Sequence, residues 1–202
     1  MPAITNTVTI DGTTAPGYAG TPLISIDGNH LNGAGLTFSA GSAGSVVVGL
    51  SITNFGSAGI SLETGANATI IQGNYIGLDT DGLTGQGNND GILIASDDNL
   101  IGGTTAAQRN VITASAYNGI YIYNGSNNVI EGNYLGTDAS GTVAVGNGDN
   151  GVSLNGAVNT TIGNGSVAGR NLISGNLRNG IYTMNIDGLT IMGNYVGTTV
   201  SG

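Results

Sequence analysis

The sequence predicts an all-β fold: a single-stranded parallel β-helix, or solenoid, of about six coils with three short strands each. Three observations lead to this prediction. Short apolar segments that follow a glycine recur roughly every 30 residues, each repeat holds three such segments, and Gly and Asn dominate the positions between them.

The composition favours a folded β protein over a disordered or helical one. The chain has 202 residues and 38 glycines, a content usually associated with disorder, yet 39% of the residues are hydrophobic. These are mostly Ile, Val and Leu, which can form a core. Gly, Asn, Thr and Ser fill the remaining positions and are poor residues for a helix interior.

The repeat is marked by glycine before the first strand of each unit, and we expect one domain across residues 1–202. The marker glycines are Gly35, Gly59, Gly91, Gly119, Gly151 and Gly180. The predicted coils lie near 35–58, 59–90, 91–118, 119–150, 151–179 and 180–202, with 1–34 as an N-terminal coil or cap. We also expect this regular array to be a fragment of a longer repeat protein.

The unit that begins at Gly59 illustrates the three strands. Its apolar segments are residues 60–62, 69–71 and 75–76, separated by polar, glycine-containing turns. One coil buries little by itself, whereas stacked coils bury a continuous column of aliphatic side chains. A β-sandwich would instead pair consecutive strands through hairpins, and it would not require every third strand to share a pattern.

Asparagines recur just before the third strand of successive coils, and the sequence predicts that they form a structural ladder. Asn tolerates corner conformations, and stacked amides satisfy one another and the local backbone. The predicted ladder consists of Asn74, Asn110, Asn133, Asn171 and Asn194.

Charge limits the classes of partner. The chain carries 12 acidic residues and only 3 basic ones, for a net charge of -9. Such a chain cannot neutralise phosphates, which argues against nucleic acid and anionic membrane surfaces. No segment reaches transmembrane length, so membrane insertion is not expected. Residues 1–10 lack a signal-peptide pattern, so we expect any native signal to lie upstream.

Several stretches carry a family resemblance. They include "TIDGTTAPGYAGTPLISIDG", "GNYIGLDTDG", "IGGTTAAQRNVIT", "GNYLGTDASGTVAVGNGDNGV" and "RNLISGNLRNGI", which together span nearly the whole chain. The chain resembles right-handed parallel β-helix repeat proteins of the pectate-lyase-like (pectin lyase-like) superfamily, in particular the Gly/Asn-rich repeats of large bacterial secreted and surface proteins. The resemblance implies right-handed winding, which is also the general preference for parallel crossovers, and an extracellular or cell-surface location.

Two functions remain open, because this scaffold serves both catalytic and inert proteins. One is a non-catalytic structural or adhesive module of an extracellular or cell-surface protein. The other is a carbohydrate-active enzyme, a polysaccharide lyase or glycoside hydrolase, with Asp and Arg side chains in a loop-lined groove. His30 and the pair Asp97–Asp98 lack the neighbours of a polygalacturonase-like site, and Arg109 and Arg170 occupy equivalent repeat positions. We therefore assign no catalytic residue.

No cofactor is expected, apart from calcium at an acidic loop that suggests a metal site. Asp79, Asp81 and Asp90 stand at positions one, three and twelve of a loop that resembles the outline of an EF-hand. Leu83 and Thr84 replace a ligand and the glycine of that pattern. The alternative is a solvated Asp-Gly turn.

Tyrosines suggest a binding stripe. Tyr75, Tyr134 and Tyr195 share one repeat position, and each is followed by another apolar residue. Because successive residues of a strand alternate faces, one residue of each pair points outward. An outward tyrosine column would suit stacking on a polysaccharide or another surface polymer, and an inward one would belong to the core. We also expect end-to-end self-association wherever strand edges are exposed.

Overall fold

A computed structural model describes residues 2–202 and confirms the parallel β-helix. The strands form three sheets in which every pairing is parallel. One short 3-10 helix, Ala106–Gln108, lies in the connection between two of the strands. The arrangement is consistent with right-handed winding. Among residues 2–202, no helix is long and apolar enough to cross a membrane.

The three sheets contain equivalent strands from successive coils. Sheet 1 contains β1 (Thr9–Asp11), β4 (Val46–Val48), β7 (Ile70–Gln72), β10 (Leu100–Gly102), β13 (Val129–Glu131), β16 (Thr161–Ile162) and β19 (Thr190–Ile191). Sheet 2 contains β2 (Ile24–Asp27), β5 (Leu50–Thr53), β8 (Tyr75–Ile76), β11 (Val111–Ile112), β14 (Tyr134–Leu135), β17 (Leu172–Ile173) and β20 (Tyr195–Val196). Sheet 3 contains β3 (Leu36–Phe38), β6 (Ala58–Leu62), β9 (Asp90–Ile94), β12 (Ile120–Tyr123), β15 (Val152–Asn155) and β18 (Ile181–Met184).

The chain visits the three sheets in turn, so each strand pairs with the strands three before and three after it. Strands β1 to β18 make six successive triplets, and β19 and β20 follow in sheets 1 and 2. Residues before 35, expected as a coil or cap, supply β1 and β2 and a parallel bridge from Ile4 to Phe38.

The core is a set of vertical columns of aliphatic side chains. In sheet 3, Ile60 pairs with Ile92, Ile92 with Ile120, and Ile120 with Val152, and all four are fully buried. Neighbouring strands lie about 4.8 Å apart, so equivalent side chains pack directly on one another. This regular packing follows from repeating the same apolar residue type at the same position of each coil.

Glycine is required before the sheet 3 strands for steric reasons. A Cβ atom added to Gly91 would lie 2.4 Å from the carbonyl oxygen of Gly119 in the next coil. It would also lie 2.4 Å from a methyl group of Ile112. The glycine that marks the repeat in the sequence is therefore a point where successive coils approach too closely for a side chain.

The five asparagines of the predicted ladder form a continuous chain of amide hydrogen bonds between sheets 1 and 2. Each Nδ2 donates to the Oδ1 of the next asparagine, at 3.1, 2.9, 3.1 and 2.8 Å along the order Asn74, Asn110, Asn133, Asn171 and Asn194. The first four side chains are fully buried. Each Nδ2 also donates to a carbonyl of the preceding coil, as Asn133 does to Ile101 at 2.9 Å. The ladder thus satisfies polar groups that the corner would otherwise leave unpaired.

Other asparagine contacts, which the sequence analysis did not single out, join coils at the remaining corners. Nδ2 of Asn99 donates to Oδ1 of Asn128 at 2.8 Å, and Nδ2 of Asn147 donates to Oδ1 of Asn176 at 2.8 Å. All three corners of the coil therefore use side-chain amides as well as backbone hydrogen bonds to hold successive coils together.

Replacing Asn133 by alanine should lower the free energy of unfolding by about 3 kcal/mol, because buried carbonyls and amides on three coils lose their partner. The matched control is Asn194→Ala at the same repeat position, where the side chain is only partly buried and a loss of about 1 kcal/mol is expected. Urea unfolding measures both variants. Equal losses would contradict the role assigned to burial.

Candidate functional site

Two long loops fold over sheet 2 and stack on each other. The loop after β8 contains an antiparallel bridge from Leu78 to Gly85, and the loop after β14 repeats it from Thr137 to Ala144. The backbone N–H of Ala139 donates to the carbonyl of Gly82 at 3.0 Å, which joins the two loops directly. Loops of one kind therefore stack on one corner at every second coil.

The tyrosine column of sheet 2 faces outward. Ile76 and Leu135, which follow Tyr75 and Tyr134, are fully buried in the core, and the tyrosines are half-buried on the opposite face. Burial raises the pKa of Tyr75, an effect that a hydrogen bond with Thr21 opposes and the charge of Asp138 reinforces. The column is therefore covered in part and does not present a free aromatic stripe.

Arginines from alternate coils cover the rest of this column. The guanidinium carbon of Arg109 lies 4.2 Å from the ring centroid of Tyr134, and that of Arg170 lies 4.0 Å from the ring centroid of Tyr195. Both distances fit cation–π contacts. This pairing was not predicted from the sequence, although the alternation of Gly-Asn-Tyr with Arg-Asn at the start of the sheet 2 strands indicates it.

The three carboxylates of the predicted calcium loop serve local structure. Oδ1 of Asp81 accepts from the backbone N–H groups of Leu83 and Thr84 at 2.8 Å each, and its pKa is lowered by the Thr84 hydroxyl first and these N–H groups next. Asp79 accepts from the N–H of Thr80 at 2.6 Å, and Asp90 accepts from Asn118. No cluster of three or more Asp, Glu, His or Cys suited to a metal occurs within residues 2–202. Calcium binding stays a prediction.

The remaining acidic pair is separated into two turn contacts. Oδ1 of Asp97 accepts from the N–H of Ser126 at 2.8 Å, and Oδ1 of Asp98 accepts from Nδ2 of Asn127 at 3.0 Å. Both contacts join this turn to the equivalent turn of the next coil. The pair therefore acts as a structural turn in the arrangement described here.

Sheet 3 carries an open groove of about 350 Å³ on its outer face. Its floor is an outward column in which Tyr121 pairs with Ser153, and Ser153 pairs with Tyr182. The two tyrosines are two coils apart, a spacing of about 9.6 Å, with the small serine between them. Tyr182 is 44% exposed, which leaves its ring accessible from solvent. The register thus produces two aromatic rings separated by a shallow gap.

A row of amides forms one rim of this groove. Nδ2 of Asn150 donates to Oδ1 of Asn118 at 2.9 Å, and Nδ2 of Asn179 donates to Oδ1 of Asn150 at 2.8 Å. Beside this row, Nε of Arg178 lies 3.1 Å from Oδ1 of Asp149. The groove therefore combines aromatic rings with amide donors and acceptors, and its one cation is paired with its one carboxylate.

The fold and the groove define a class, an acidic parallel β-helix repeat protein rich in Gly and Asn. No protein-family model, no curated protein and no solved structure matches this chain.

Asp138 should contribute to loss of stability in acid. This buried carboxylate accepts from Ser140 at 2.7 Å and from the N–H groups of Thr142 and Val143 at 3.0 Å each. Burial acts to raise its pKa, but the hydrogen bonds together lower the pKa below its usual value. A lowered pKa in the folded state gives stability that is present above about pH 4 and is lost as the pH falls through the folded-state value.

Asp138→Asn is the matching variant, because the amide preserves the shape of the side chain and cannot titrate. Its free energy of unfolding should depend less steeply on pH between about pH 5 and about pH 2 than that of the unaltered protein. Chemical unfolding followed at a series of pH values measures both slopes. Identical slopes would show that this carboxylate does not contribute.

Proposed function

We propose that this chain is a non-catalytic structural and adhesive β-helix module of an extracellular or cell-surface protein, and that it binds a neutral polysaccharide in the sheet 3 groove. The observation that carries the proposal is the outward column of Tyr121, Ser153 and Tyr182 beside the amide row of Asn118, Asn150 and Asn179.

Aromatic rings and amides are complementary to the two surfaces of a sugar. The apolar face of a pyranose ring packs on an aromatic side chain, and its hydroxyl groups exchange hydrogen bonds with amides and bridging waters. The groove is open and runs along stacked coils, so it suits a segment of an extended polymer better than an enclosed small molecule. The net charge of -9 favours a neutral chain over a polyanion.

The composition of the groove favours binding over cleavage. Glycoside hydrolysis commonly uses two carboxylates on either side of the scissile bond. The groove lining includes one carboxylate, Asp149, and that carboxylate is engaged with Arg178. The alternative, a polysaccharide lyase or glycoside hydrolase, would release new chain ends from the polysaccharide, whereas a binding module would leave it intact.

Membership of the pectate-lyase-like superfamily and a bacterial cell-surface location are part of this proposal. They are supported by the resemblance of the repeats and by the three-sheet parallel architecture. End-to-end association is a further part of the proposal. Its support is the general tendency of unpaired strand edges to associate.

The binding test uses affinity electrophoresis through gels that contain neutral polysaccharides such as xylan, glucan or mannan. Tyr182→Ala should weaken retardation by about fivefold for a polymer that binds, because one stacking contact is worth roughly 1 kcal/mol. Tyr117→Ala is the matched control, since Tyr117 is 52% exposed and lies outside the groove lining.

Three outcomes count against the proposal. The first is that the unaltered protein binds none of the neutral polymers, and the second is that both tyrosine variants weaken binding equally. A steady release of reducing ends or of unsaturated products from a polymer would favour the enzymatic alternative. A control preparation with Asp149→Asn, which removes the groove carboxylate, distinguishes release by this protein from release by a contaminant.

A further inference from the structure

We propose that the cleft over sheet 2, between the two arginine–tyrosine stacks, is a second binding site, and that it takes a carboxylate group. The cleft measures about 180 Å³. Arg109 and Arg170 line it together with Tyr134 and Tyr195. This site lies on a different sheet from the sheet 3 groove, and it does not depend on the proposed glycan binding.

The cleft is created by the two-coil repeat. Arg109 and Arg170 take the position that Gly73 and Gly132 hold in the intervening coils, and each arginine stacks on the tyrosine of the coil that follows. Successive coils therefore present an arginine and then a tyrosine along one face of the solenoid. The contact with the tyrosine ring limits the side-chain freedom of each arginine that an anion would otherwise have to restrict.

The charge of these two arginines is not neutralised by the protein. Among the residues that the structure describes, the only arginine–carboxylate pair within 4.0 Å is Arg178 with Asp149. Arg109 and Arg170 are half-buried, yet neither has a carboxylate partner in that part of the chain. In a protein of net charge -9, two unpaired cations that line one cleft are the local feature that most clearly indicates an anionic ligand.

The hydrogen bonding of the two arginines also differs. Nε of Arg170 donates to the carbonyl of Gly193 at 2.8 Å. Nε of Arg109 is buried and has no hydrogen-bond partner among residues 2–202. A buried donor without a partner is destabilising, and an acceptor at this position would remove that cost. The unsatisfied group therefore points to a hydrogen-bond acceptor beside Arg109.

The size and walls of the cleft define the ligand class. About 180 Å³ is smaller than a drug-sized pocket of roughly 300 Å³ or more, so the cleft suits one acidic group and a few attached atoms. Val167, Leu172 and Val200 add apolar walls around the two guanidinium groups. A carboxylate matches the geometry of a guanidinium fork. The apolar walls favour an acid that carries a carbon skeleton over an inorganic oxyanion.

Isothermal titration calorimetry tests the site with four probes: sodium glucuronate, sodium acetate, sodium sulfate and glucose. The unaltered protein should bind glucuronate and acetate more tightly than sulfate, and glucose should give no heat at this site. Arg109→Gln and Arg170→Gln should each weaken carboxylate binding at least about tenfold, because each removes a charged hydrogen-bond donor. Glucuronate that binds more tightly than acetate would indicate a carboxylate on a sugar, and equal affinities would indicate the acidic group alone.

Arg178→Gln is the matched control, because Arg178 is the third arginine and lies outside this cleft. This variant should bind glucuronate and acetate with the same affinity as the unaltered protein. Thermal unfolding verifies that each variant is folded. Arg170→Lys keeps the charge and loses the fork, so it should still weaken binding and thereby separate specific geometry from general attraction.

The proposal is overturned if the unaltered protein binds no carboxylate, if sulfate binds as tightly as acetate, or if Arg178→Gln weakens binding as much as Arg170→Gln. Tyr182→Ala tests whether this site is independent of the sheet 3 groove, because Tyr182 lines that groove and not the cleft. The variant should retain carboxylate binding whether or not the neutral glycan binds, so failure of one proposal does not imply failure of the other.

Discussion

The in-register parallel pairing between one coil and the next is the interaction on which every other feature depends. It places Ile92 between Ile60 and Ile120, and it brings the amide of Asn133 within hydrogen-bond distance of those of Asn110 and Asn171. Without this register the core columns, the amide ladders and the tyrosine columns would not exist, since all of them join residues at least 23 positions apart in the sequence. The same pairing requires glycine where the backbones of successive coils leave no room for a side chain, as at Gly91.

Structural features that recur once in every coil could be predicted from the sequence. The marker glycines, the three apolar segments and the asparagines before the third strand recur at nearly constant spacing, so their stacking follows from the winding alone. The facing of the tyrosines could not be predicted, because residues 75 and 76 are both apolar and alternation assigns them opposite faces without indicating which is inside. Packing decides it: Ile76 fills the core column and Tyr75 is left outside.

The candidate sites depend on contacts that linear spacing hides. Asp79, Asp81 and Asp90 have the spacing of a calcium loop, but this segment folds back on itself through the bridge of Leu78 with Gly85. Asp90 then begins β9 and belongs to the amide row on sheet 3. The groove tyrosines, Tyr121 and Tyr182, are 61 positions apart in the sequence and lie in one column only because the coils stack in register. The small Ser153 of the intervening coil leaves the space between their rings open.

The stacking of alternate loops and the alternation of tyrosine with arginine give the solenoid a two-coil period, even though its core has a one-coil period. Lengthening or shortening such a chain by a pair of coils leaves every neighbour relationship intact. Adding or removing a single coil preserves the aliphatic interior. On the surface, however, it places two arginine-bearing coils or two long-loop coils next to each other. The interior thus tolerates any whole number of coils, whereas the exterior admits only even increments.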